Sequence, residues 1–380
     1  MKTHVCLVSD QLIPNVLPVM REKPERVILL TTEKMQNKAA LLRDFLQRRG
    51  AIVASQPIDA YDFVSTLAAC RKVIDRCGPE GDLTLNVTGG TKVAALAAYQ
   101  SFYFDNCRII YMDTDNGQLL ELGDQAAVHP FADNLLNVWD HLALYGKTAS
   151  APNAETHSFE EVRNGRDNTN LLCRLFLLNP EVLRSINGQL ARQAGSSATP
   201  QLDFAGLGEP GVQVYDLLVQ AGVAEPADST RLCVPDRANR FYLHGGWLEE
   251  YVFNTVADMQ LAGMDSQLNV GIEWKADVTG RKRTTNELDV LFTHQNRLHV
   301  ISCKTSRLDE ESSEGQDALY KLDSLHTSAG GLFARAMLVS FHKLKEHDAR
   351  RAKDMRITVV EGDDIRRLRE IMLTKWNLRA

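Results

Sequence analysis

The 380-residue chain has an ordinary globular composition, with 44% hydrophobic and 24% charged residues and a formal net charge of −6. This length suits two or three domains that each bury a core, and the composition excludes a disordered chain. No apolar run reaches the roughly 18 residues of a membrane span, and the start MKTHVCLVSDQ lacks the apolar core of a signal peptide. We therefore expect a cytoplasmic protein with no membrane partner.

The seven cysteines are scattered and show no C-x-x-C spacing, which excludes a disulfide scaffold and a structural zinc site. Charge is uneven along the chain: residues 335–380 hold 12 Lys+Arg and 7 Asp+Glu, a net +5 that leaves −11 for the remainder. With Arg281, Lys282 and Arg283, this excess would supply phosphate contacts to nucleic acid, although solvated helix faces explain such a local excess more often.

The first third of the chain alternates short apolar runs with helical patterns. The runs are THVCLVS, RVILLTT, AIVASQPI, LTLNVTG and RIIYMDTD. This alternation predicts an α/β domain at residues 1–145 with a parallel, doubly wound sheet. Ligands of such sheets bind beyond the carboxyl ends of the strands, which here carry the polar groups SDQ, TTE, TGGTK and DTD.

The middle of the chain, residues 146–240, is predicted to be a helical connector. Asn179 as N-cap, Pro180 at the first helical position and Gly195 as stop delimit one helix. The helical stretch VYDLLVQAGVAE is followed by TRLCVP and RFYLHG, which we predict as short strands, so the connector is winged-helix-like. Residues 241–380 form a third predicted domain, with a helix at GGWLEEYVFNTVADM, several strands and further helices.

The stretch NELDVLFTHQNRLHVISCKTS, Asn286 to Ser306, predicts a β-hairpin with charges inside its strands. A turn of two residues or of four gives the same register, in which Asp289 faces Ser302 and Glu287 faces Lys304. Because directly opposed residues share a face, these four side chains project together, within roughly 5 to 8 Å of one another. Leu288, Val290, Ile301 and Cys303 point to the other face.

This constellation suits metal-dependent hydrolysis of a phosphodiester. Carboxylates bind Mg²⁺ or Mn²⁺, the metal lowers the pKa of a bound water, and a lysine stabilises the developing charge. The alternative is a solvent-facing hairpin with a Glu287 to Lys304 ion pair, worth only about 0.2 to 1 kcal/mol.

The acid-bearing helix, the Asp-containing strand and the x-x-Lys strand, in this order from Gly245 to about Ser340, resemble the PD-(D/E)xK nuclease family, which has a restriction-endonuclease-like fold. The resemblance implies that Asp289 is the first metal-binding acid and Lys304 the catalytic lysine. Glu249 or Glu250 would be the helix acid that completes the site, and Glu249 is preferred.

Two further features concern this site. Gln316 and Tyr320 have the Q-x-x-x-Y spacing that RecB-like members place beside the active site, so Gln316 is a candidate catalytic residue. Ser302 departs from the family pattern, which has an acid two residues before the lysine. Glu287, on the same face, would supply the replacement metal ligand, or Glu273 from the preceding strand would.

The segment LTLNVTGGTKVAALAAY places two glycines between a strand and a helix, where backbone amides and the helix N-terminus meet an anion. Neither G-x-x-x-x-G-K-[ST] nor G-x-G-x-x-G is present at this turn. With SDQL after the first strand, residues 1 to about 140 resemble the CARF domain, a Rossmann-like sensor of CRISPR systems. The resemblance implies a homodimer that binds a cyclic oligoadenylate through eight positions: Ser9, Asp10, Gln11, Thr88, Gly89, Gly90, Thr91 and Lys92.

The whole arrangement resembles the CRISPR ancillary nucleases of the Card/Can type. It implies a metal-dependent endonuclease in antiviral defence, activated by cyclic oligoadenylate, with cyclic tetra-adenylate as the expected activator. Single-stranded RNA, single-stranded DNA and supercoiled DNA remain open as substrates. A sensor with a decayed nuclease site, binding nucleic acid or a protein partner, is the alternative. A metabolic nucleotide-binding enzyme is disfavoured because it leaves the hairpin charges unexplained.

Overall fold

The computed structural model describes residues 1–77, 82–124, 126–131, 134–150, 156–195, 198–274, 285–306 and 314–378. The basic tripeptide at 281–283 lies outside these ranges. The chain forms two compact units. The first unit comprises residues 1–147, 295–297 and 329–333, and the second unit comprises residues 148–294, 298–328 and 334–380.

The first unit contains a seven-stranded sheet in the order β3-β2-β1-β4-β5-β6-β7. Its strands are β1 (Lys2–Leu7), β2 (Arg26–Thr31), β3 (Ile52–Pro57), β4 (Asp82–Asn86), β5 (Arg108–Asp113), β6 (Gln118–Leu122) and β7 (Ala127–Pro130). Its helices are α1 (Ile13–Glu22), α2 (Gln36–Arg48), α3 (Phe63–Cys77), α4 (Lys92–Phe104) and α5 (Val138–Leu144). The first five strands are parallel, and β6 and β7 continue the sheet antiparallel.

The central strands of this sheet are covered on both faces, which explains their nearly continuous apolar sequences. In β1, Cys6 belongs to one buried cluster, together with α1 and α2, whereas Val5 and Leu7 belong to another, together with α3 and α4. The structure therefore confirms the α/β fold with a doubly wound, mostly parallel sheet.

The turn between β4 and α4 is built on two glycines. A Cβ on Gly89 would lie 2.1 Å from the backbone oxygen of Leu7, and Gly90 has φ +80°, a value that glycine adopts without strain. Thr91 then caps α4, because its hydroxyl accepts a hydrogen bond from Ala94 N at 3.2 Å. The turn thus packs directly against the end of β1.

The second unit contains a three-stranded sheet in the order β10-β11-β9 and a six-stranded sheet in the order β16-β15-β14-β13-β12-β8. Its strands are β8 (Lys147–Ser150), β9 (Gln201–Asp203), β10 (Glu225–Pro226), β11 (Arg231–Cys233), β12 (Asp265–Trp274), β13 (Thr285–His294), β14 (Arg297–Lys304), β15 (Arg335–Ser340) and β16 (Ile357–Glu361). The opening residues of β8 and β14 belong to the first unit.

The helices of the second unit pack around these sheets. They are α6 (Phe159–Asn164), α7 (Arg166–Leu178), α8 (Pro180–Gln193), α9 (Gly208–Gln220), α10 (Arg237–Phe241), α11 (Trp247–Ala257), α12 (Glu314–Gly330), α13 (Glu346–Asp354) and α14 (Leu368–Lys375). Helix α11 is the centre of the core, where Trp247 packs against Phe176 and Phe341. This restriction-endonuclease-like α/β region completes the predicted fold class, whereas the division into domains at 145 and 240 stays a prediction.

One predicted strand is wrong. The stretch RFYLHG is helical, since α10 passes directly into a π-helical turn at Tyr242–Gly246. Asp236 caps α10 through a hydrogen bond from Asn239 N to its side chain. The periodicity of a short apolar run does not distinguish a strand from a buried helix. The sequence feature that indicated a helix was the N-cap residue Asp236.

The hairpin of β13 and β14 closes with a two-residue turn. Gln295 has φ +51° and Asn296 has φ +58°, as in a type I′ turn, whose twist matches that of the strands. Within the first unit, Asn296 Oδ1 accepts hydrogen bonds from Leu135 N at 2.7 Å and from Leu136 N at 3.2 Å. In the part of the chain that the structure describes, no helix is long and apolar enough to span a membrane.

Gly89→Ala is expected to destabilise the first unit more than Gly50→Ala does. The added methyl group at position 89 collides with backbone and forces a shift, at a cost of about 1 to 3 kcal/mol. Unlike Gly89, Gly50 has a positive φ, +88°, and nothing lies within 4 Å of its Cβ position, so Gly50→Ala tests conformational strain alone. Thermal unfolding of both variants measures the difference, and equal midpoints would contradict the close approach of Gly89 to Leu7.

Candidate functional site

The hairpin holds Asp289 in a fixed orientation. Its Oδ2 accepts hydrogen bonds from Ser302 Oγ at 3.0 Å and from Cys303 N at 2.7 Å. Asp289 and Ser302 are therefore opposite each other, as the predicted register requires. Ser302, at the position where the resembled family has an acid, thus supports the neighbouring carboxylate with a hydroxyl donor.

Helix α11 brings Glu249 to this hairpin. Burial, followed by the negative charges of Asp289 and Glu287, raises the pKa of Glu249 well above its ordinary value, and Lys304 opposes the shift. The Oε2 atom of Glu249 is buried and has no hydrogen-bond partner among the described residues. The structure therefore brings together four predicted site residues, Glu249, Glu287, Asp289 and Lys304.

Glu287 completes a cluster of carboxylates that repel one another. Burial and then the charge of Asp289 raise the pKa of Glu287, whereas Lys321 and then Lys304 lower it. Its Oε1 atom is also buried without a hydrogen-bond partner among the described residues. Lys321 of α12 was not predicted, because its position in a helix far along the chain gives no sign that it faces the hairpin.

Glu250, the alternative helix acid, faces elsewhere. It is 5% exposed, and its Oε1 is 2.7 Å from Nδ1 of His157. Burial raises the pKa of Glu250, and the hydrogen bond and positive charge of His157 act against that shift. Of the two adjacent glutamates, Glu249 is thus the one whose charge interacts with Asp289 and Lys304.

A kink fixes where α11 begins relative to the hairpin. Gly245 lies in the π-helical turn before the helix and has φ +139°, a conformation that an L side chain rarely adopts. A Cβ at this position would lie 2.9 Å from Oγ1 of Thr305, the residue after Lys304. Glycine therefore lets the start of α11 approach the end of β14, which places Glu249 near Lys304.

The remaining predicted residues lie at the edges of this cluster. Glu273 is opposite Thr285 in the β12 to β13 register and thus on the same sheet face as Glu287. Gln316 is half-buried in α12, and Tyr320 is exposed with the guanidinium of Arg351 over its ring. No interaction of Gln316 with the carboxylates is seen, so its catalytic role stays a prediction.

The donor set has the chemistry of a divalent-cation site, since two buried carboxylate oxygens lack partners and a cation would relieve the repulsion among three acids. Within the described ranges, however, no group of three or more His, Cys, Asp or Glu side chains is positioned to hold a metal ion. The side chains of the cluster fit the cation in type.

Several arginines of the C-terminal segment form local ion pairs, which leave its net charge of +5 unchanged. Arg350 pairs with Glu346, Arg351 with Asp348, and Arg367 with Glu370. The pairs of Arg350 and Arg367 are exposed and contribute little to stability, whereas Asp348 is buried.

Two cavities of the first unit open at the carboxyl ends of the parallel strands. The larger one has a volume of about 1260 Å³, and the smaller one about 230 Å³. Both are lined by Ser9 and Gly90; the larger also by Asp10 and Thr91, and the smaller by Gln11, Thr88 and Gly89. Lys92, the eighth predicted residue, is exposed at the start of α4 and lines neither cavity.

Two of the predicted binding residues already have structural roles. The hydroxyl of Thr88 donates to Asn86 Oδ1 at 2.6 Å and accepts from Met112 N at 2.7 Å. The hydroxyl of Thr91 donates to the backbone oxygen of Ala60 and caps α4. These two threonines therefore shape the turn. Two more predicted residues are also hydrogen-bonded: Ser9 Oγ donates to Gln11 O at 3.2 Å, and Gln11 Oε1 accepts from Tyr145 Oη at 3.1 Å and from Leu332 N at 3.2 Å.

Sequence reasoning missed one side of the larger cavity. It is lined by Glu33–Asn37 at the start of α2, by Arg43, and by Pro57–Tyr61 after β3. The signal was present, since the polar stretch IDAYD follows the third parallel strand as SDQ and TTE follow the first two.

Family models match both ends of the chain. The Card1 CARF domain matches residues 3–141, and the Card1-like endonuclease domain matches residues 236–380. The chain belongs to the Card/Can type of CARF nuclease. It therefore combines a CARF sensor domain with an endonuclease domain. No curated protein matches the sequence.

Solved structures agree with this membership. Can2 from Sulfobacillus thermosulfidooxidans, determined in complex with cyclic tetra-adenylate, is 28% identical with a TM-score of 0.78, over 100% of both chains. Protein VC1899 from Vibrio cholerae is 23% identical with a TM-score of 0.85, over 99% of this chain and 97% of that one. A type III CRISPR defence DNA nuclease activated by cyclic oligoadenylate is 19% identical with a TM-score of 0.55, over 90% of this chain and 46% of that one. The last two show the shared fold.

Glu249→Gln is expected to stabilise the protein in metal-free buffer. Because the pKa of Glu249 is raised on folding, the folded state loses stability as pH rises through that raised value, and glutamine does not titrate. Above neutral pH, the unfolding temperature of Glu249→Gln should therefore exceed that of the wild type, by roughly 2 to 4 °C for each kcal/mol of stability gained. The gain should vanish below the ordinary glutamate pKa of 4.5. A gain that is independent of pH would contradict the repulsion.

Proposed function

We propose that this chain is a metal-dependent endonuclease that cyclic oligoadenylate activates, and that it hydrolyses phosphodiester bonds of nucleic acid in CRISPR antiviral defence. The observation that carries the proposal is the cluster of Glu249, Glu287 and Asp289 against Lys304, in a domain that matches the Card1-like endonucleases. Phosphodiester hydrolysis of this kind would account for the charged side chains inside the strands of the hairpin.

Each residue of the cluster has a distinct role in the proposed reaction. Asp289 and Glu249 hold a divalent cation, Mn²⁺ or Mg²⁺, and Glu287 supplies the carboxylate that Ser302 does not. When bound, the cation polarises the phosphoryl oxygen and acidifies a water. Ser302 Oγ and Cys303 N keep Asp289 oriented toward the cluster. Lys304 orients the attacking water and stabilises the charge that develops on the phosphate.

The geometry of the carboxylates suggests why the activity needs an activator. Burial and the neighbouring carboxylates raise the pKa of Glu249, so bringing Glu249 closer to Asp289 without a cation is unfavourable. We propose that binding of the activator to the first unit favours a conformation in which Glu249 and the hairpin approach each other. The activator can do so only by binding that conformation more tightly.

The proposed activator site is the pair of cavities at the strand ends. Ser9, Asp10 and Gln11 present side chains there, and Gly89 and Gly90 let the backbone approach an anion beside the N-terminus of α4. Can2, which matches this chain over its whole length, was determined with cyclic tetra-adenylate bound. The same ring is therefore the proposed activator here.

A symmetric ring suits a site shared by two copies of the chain. Helices α3 and α4 pack against each other and expose Val64 at 75%, Leu96 at 63% and Phe104 at 68%. Val64 is next to Ser65 and near Tyr61, which both line the larger cavity. We propose that this face of the first unit is covered by a second copy, so that the cavities of the two copies adjoin.

The proposal predicts activator-dependent cleavage that Lys304→Ala abolishes. Purified protein with Mn²⁺ or Mg²⁺ is incubated with labelled single-stranded RNA, single-stranded DNA and supercoiled plasmid, with and without cyclic tetra-adenylate. Loss of a charge that acts on the transition state should cost about 10²-fold or more in rate. Lys353→Ala, at an exposed position of α13, is the matched control and should retain activity.

A sensor with a decayed site is the second candidate, and Ser302 in place of an acid is the observation that favours it. Its signature in the same experiment is measurable binding of cyclic tetra-adenylate without cleavage of any substrate. Cleavage that survives both Lys304→Ala and Asp289→Asn would reject the proposed site instead.

Leu96→Glu is expected to convert the proposed dimer into a monomer, because it places a charge in an apolar interface. Leu171→Glu, at a 46% exposed position on α7 of the second unit, is the control and should leave the dimer intact. Sedimentation velocity at several protein concentrations distinguishes the two states. A wild-type chain that is monomeric at all concentrations and with the activator would refute the shared site.

A further inference from the structure

Helix α11 carries a row of polar side chains away from the nuclease cluster. Glu250, Asn254 and the C-cap residue Asp258 lie four residues apart and hence on one helix face, and we name this row the polar seam. Asn254 is 1% exposed and Glu250 is 5% exposed, so the seam is buried along most of its length. A buried row of this kind must be fully hydrogen-bonded to be tolerated.

Partners from the segment before and around α6 bind each member of the seam. His157 Nδ1 is 2.7 Å from Glu250 Oε1. Arg163 donates to Asn254 Oδ1 at 2.9 Å and to Asp258 Oδ1 at 2.8 Å. Asn254 Nδ2 also donates to the backbone oxygen of Val162 at 3.2 Å. Three successive turns of α11 are thus held by residues 157–163.

Each ring nitrogen of His157 contacts a side-chain oxygen, Nδ1 that of Glu250 and Nε2 that of Asn239. Its Nε2 is 2.9 Å from Asn239 Oδ1, and the amide nitrogen of Asn239 donates to Gly222 O at 3.4 Å, which turns Oδ1 toward the ring. Both ring nitrogens of His157 are thus held by oxygen atoms of neighbouring side chains, and the ring packs 5.4 Å from that of Tyr242. These contacts fix the orientation of the ring against Glu250.

The position of this pair connects it to the nuclease cluster. Glu249 precedes Glu250 and points about 100° away around the same helix turn. Rotation of the first turn of α11 about its axis would therefore move Glu249 with Glu250. The cluster itself resists the approach of Glu249, since its carboxylates repel one another.

We propose that His157 is a positioning residue for the nuclease reaction: by fixing Glu250, it holds the first turn of α11 in the rotation that presents Glu249 to Asp289. This inference rests on the proposed metal-dependent function. It assigns to the connector a direct role in the site, although residue 157 is 132 positions before Asp289 in the sequence.

His157→Ala is the test, and Mn²⁺ binding is the readout. The free ion is followed by electron paramagnetic resonance, at a temperature well below the unfolding midpoint of every variant. Loss of the positioning contact should weaken Mn²⁺ binding by about 10-fold or more, as loss of an outer partner of a metal ligand does. Glu250→Gln should retain most of the affinity, because its amide oxygen still accepts from His157.

Asp258→Asn is the matched control. It removes a charge from the same seam two helix turns away from Glu250, where the pair with Arg163 is partly exposed. It should lower the unfolding midpoint while leaving Mn²⁺ affinity unchanged. Circular dichroism and binding of cyclic tetra-adenylate verify that each variant is folded.

Each outcome decides the proposal. Weaker Mn²⁺ binding in His157→Ala, with normal binding in Glu250→Gln and Asp258→Asn, supports it. Equal Mn²⁺ affinity in His157→Ala and the wild type, with Glu250→Gln and Asp258→Asn only less stable, would overturn the proposal. It would leave the nuclease proposal intact. Failure of the wild type itself to bind Mn²⁺ would overturn the metal site and this positioning role together.

Discussion

The second unit is organised around the burial of like charges. After burial, the charges of Asp289 and Glu287 raise the pKa of Glu249, and the charge of Asp289 raises that of Glu287, with Lys304 and Lys321 as partial compensation. An apolar core would avoid this cost, so other parts of the unit must maintain the cluster against its own repulsion. The hydrogen bonds to Asp289, the glycine kink before α11 and the aromatic packing of Trp247 all serve to keep these groups in place. Such stored instability is common where a protein prepares a site for a ligand.

The first unit depends on a steric constraint of a different kind. The turn after β4 lies so close to β1 that only glycine fits at position 89. The hydroxyl of Thr88 donates a hydrogen bond to Asn86, and the hydroxyl of Thr91 donates one to Ala60, so both hydroxyls stabilise the turn. Ser9, Asp10 and Gln11 line the two cavities beside this turn, the larger of which has a volume of about 1260 Å³.

Sequence reasoning succeeded where a physical period was strong. Alternating strands and helices gave the parallel sheet, and the two-residue period of β13 and β14 gave the facing of Asp289 and Ser302. It failed where the sequence had no clear period, or where the interacting residues lie far apart along the chain. The apolar run RFYLHG has no period, so its helical cap was overlooked. Helix α11 is buried on nearly all sides, so no pattern could separate Glu249 from Glu250. Lys321 and His157 act across long separations in the chain, which local patterns do not encode.

The interrupted course of the chain through the first unit has a consequence for modularity. Residues 1–147 are not a self-contained cassette, because the unit is completed by segments 295–297 and 329–333. Cut after Lys147, the fragment would lose the side-chain Oδ1 of Asn296 that accepts from Leu135 N and Leu136 N, and the Leu332 N–H that donates to Gln11. Gene fusion at a single junction therefore cannot transfer this sensor intact to another effector. Sensor and effector of this architecture are expected to have diverged as one inseparable unit, with the hairpin turn inherited alongside the cavity.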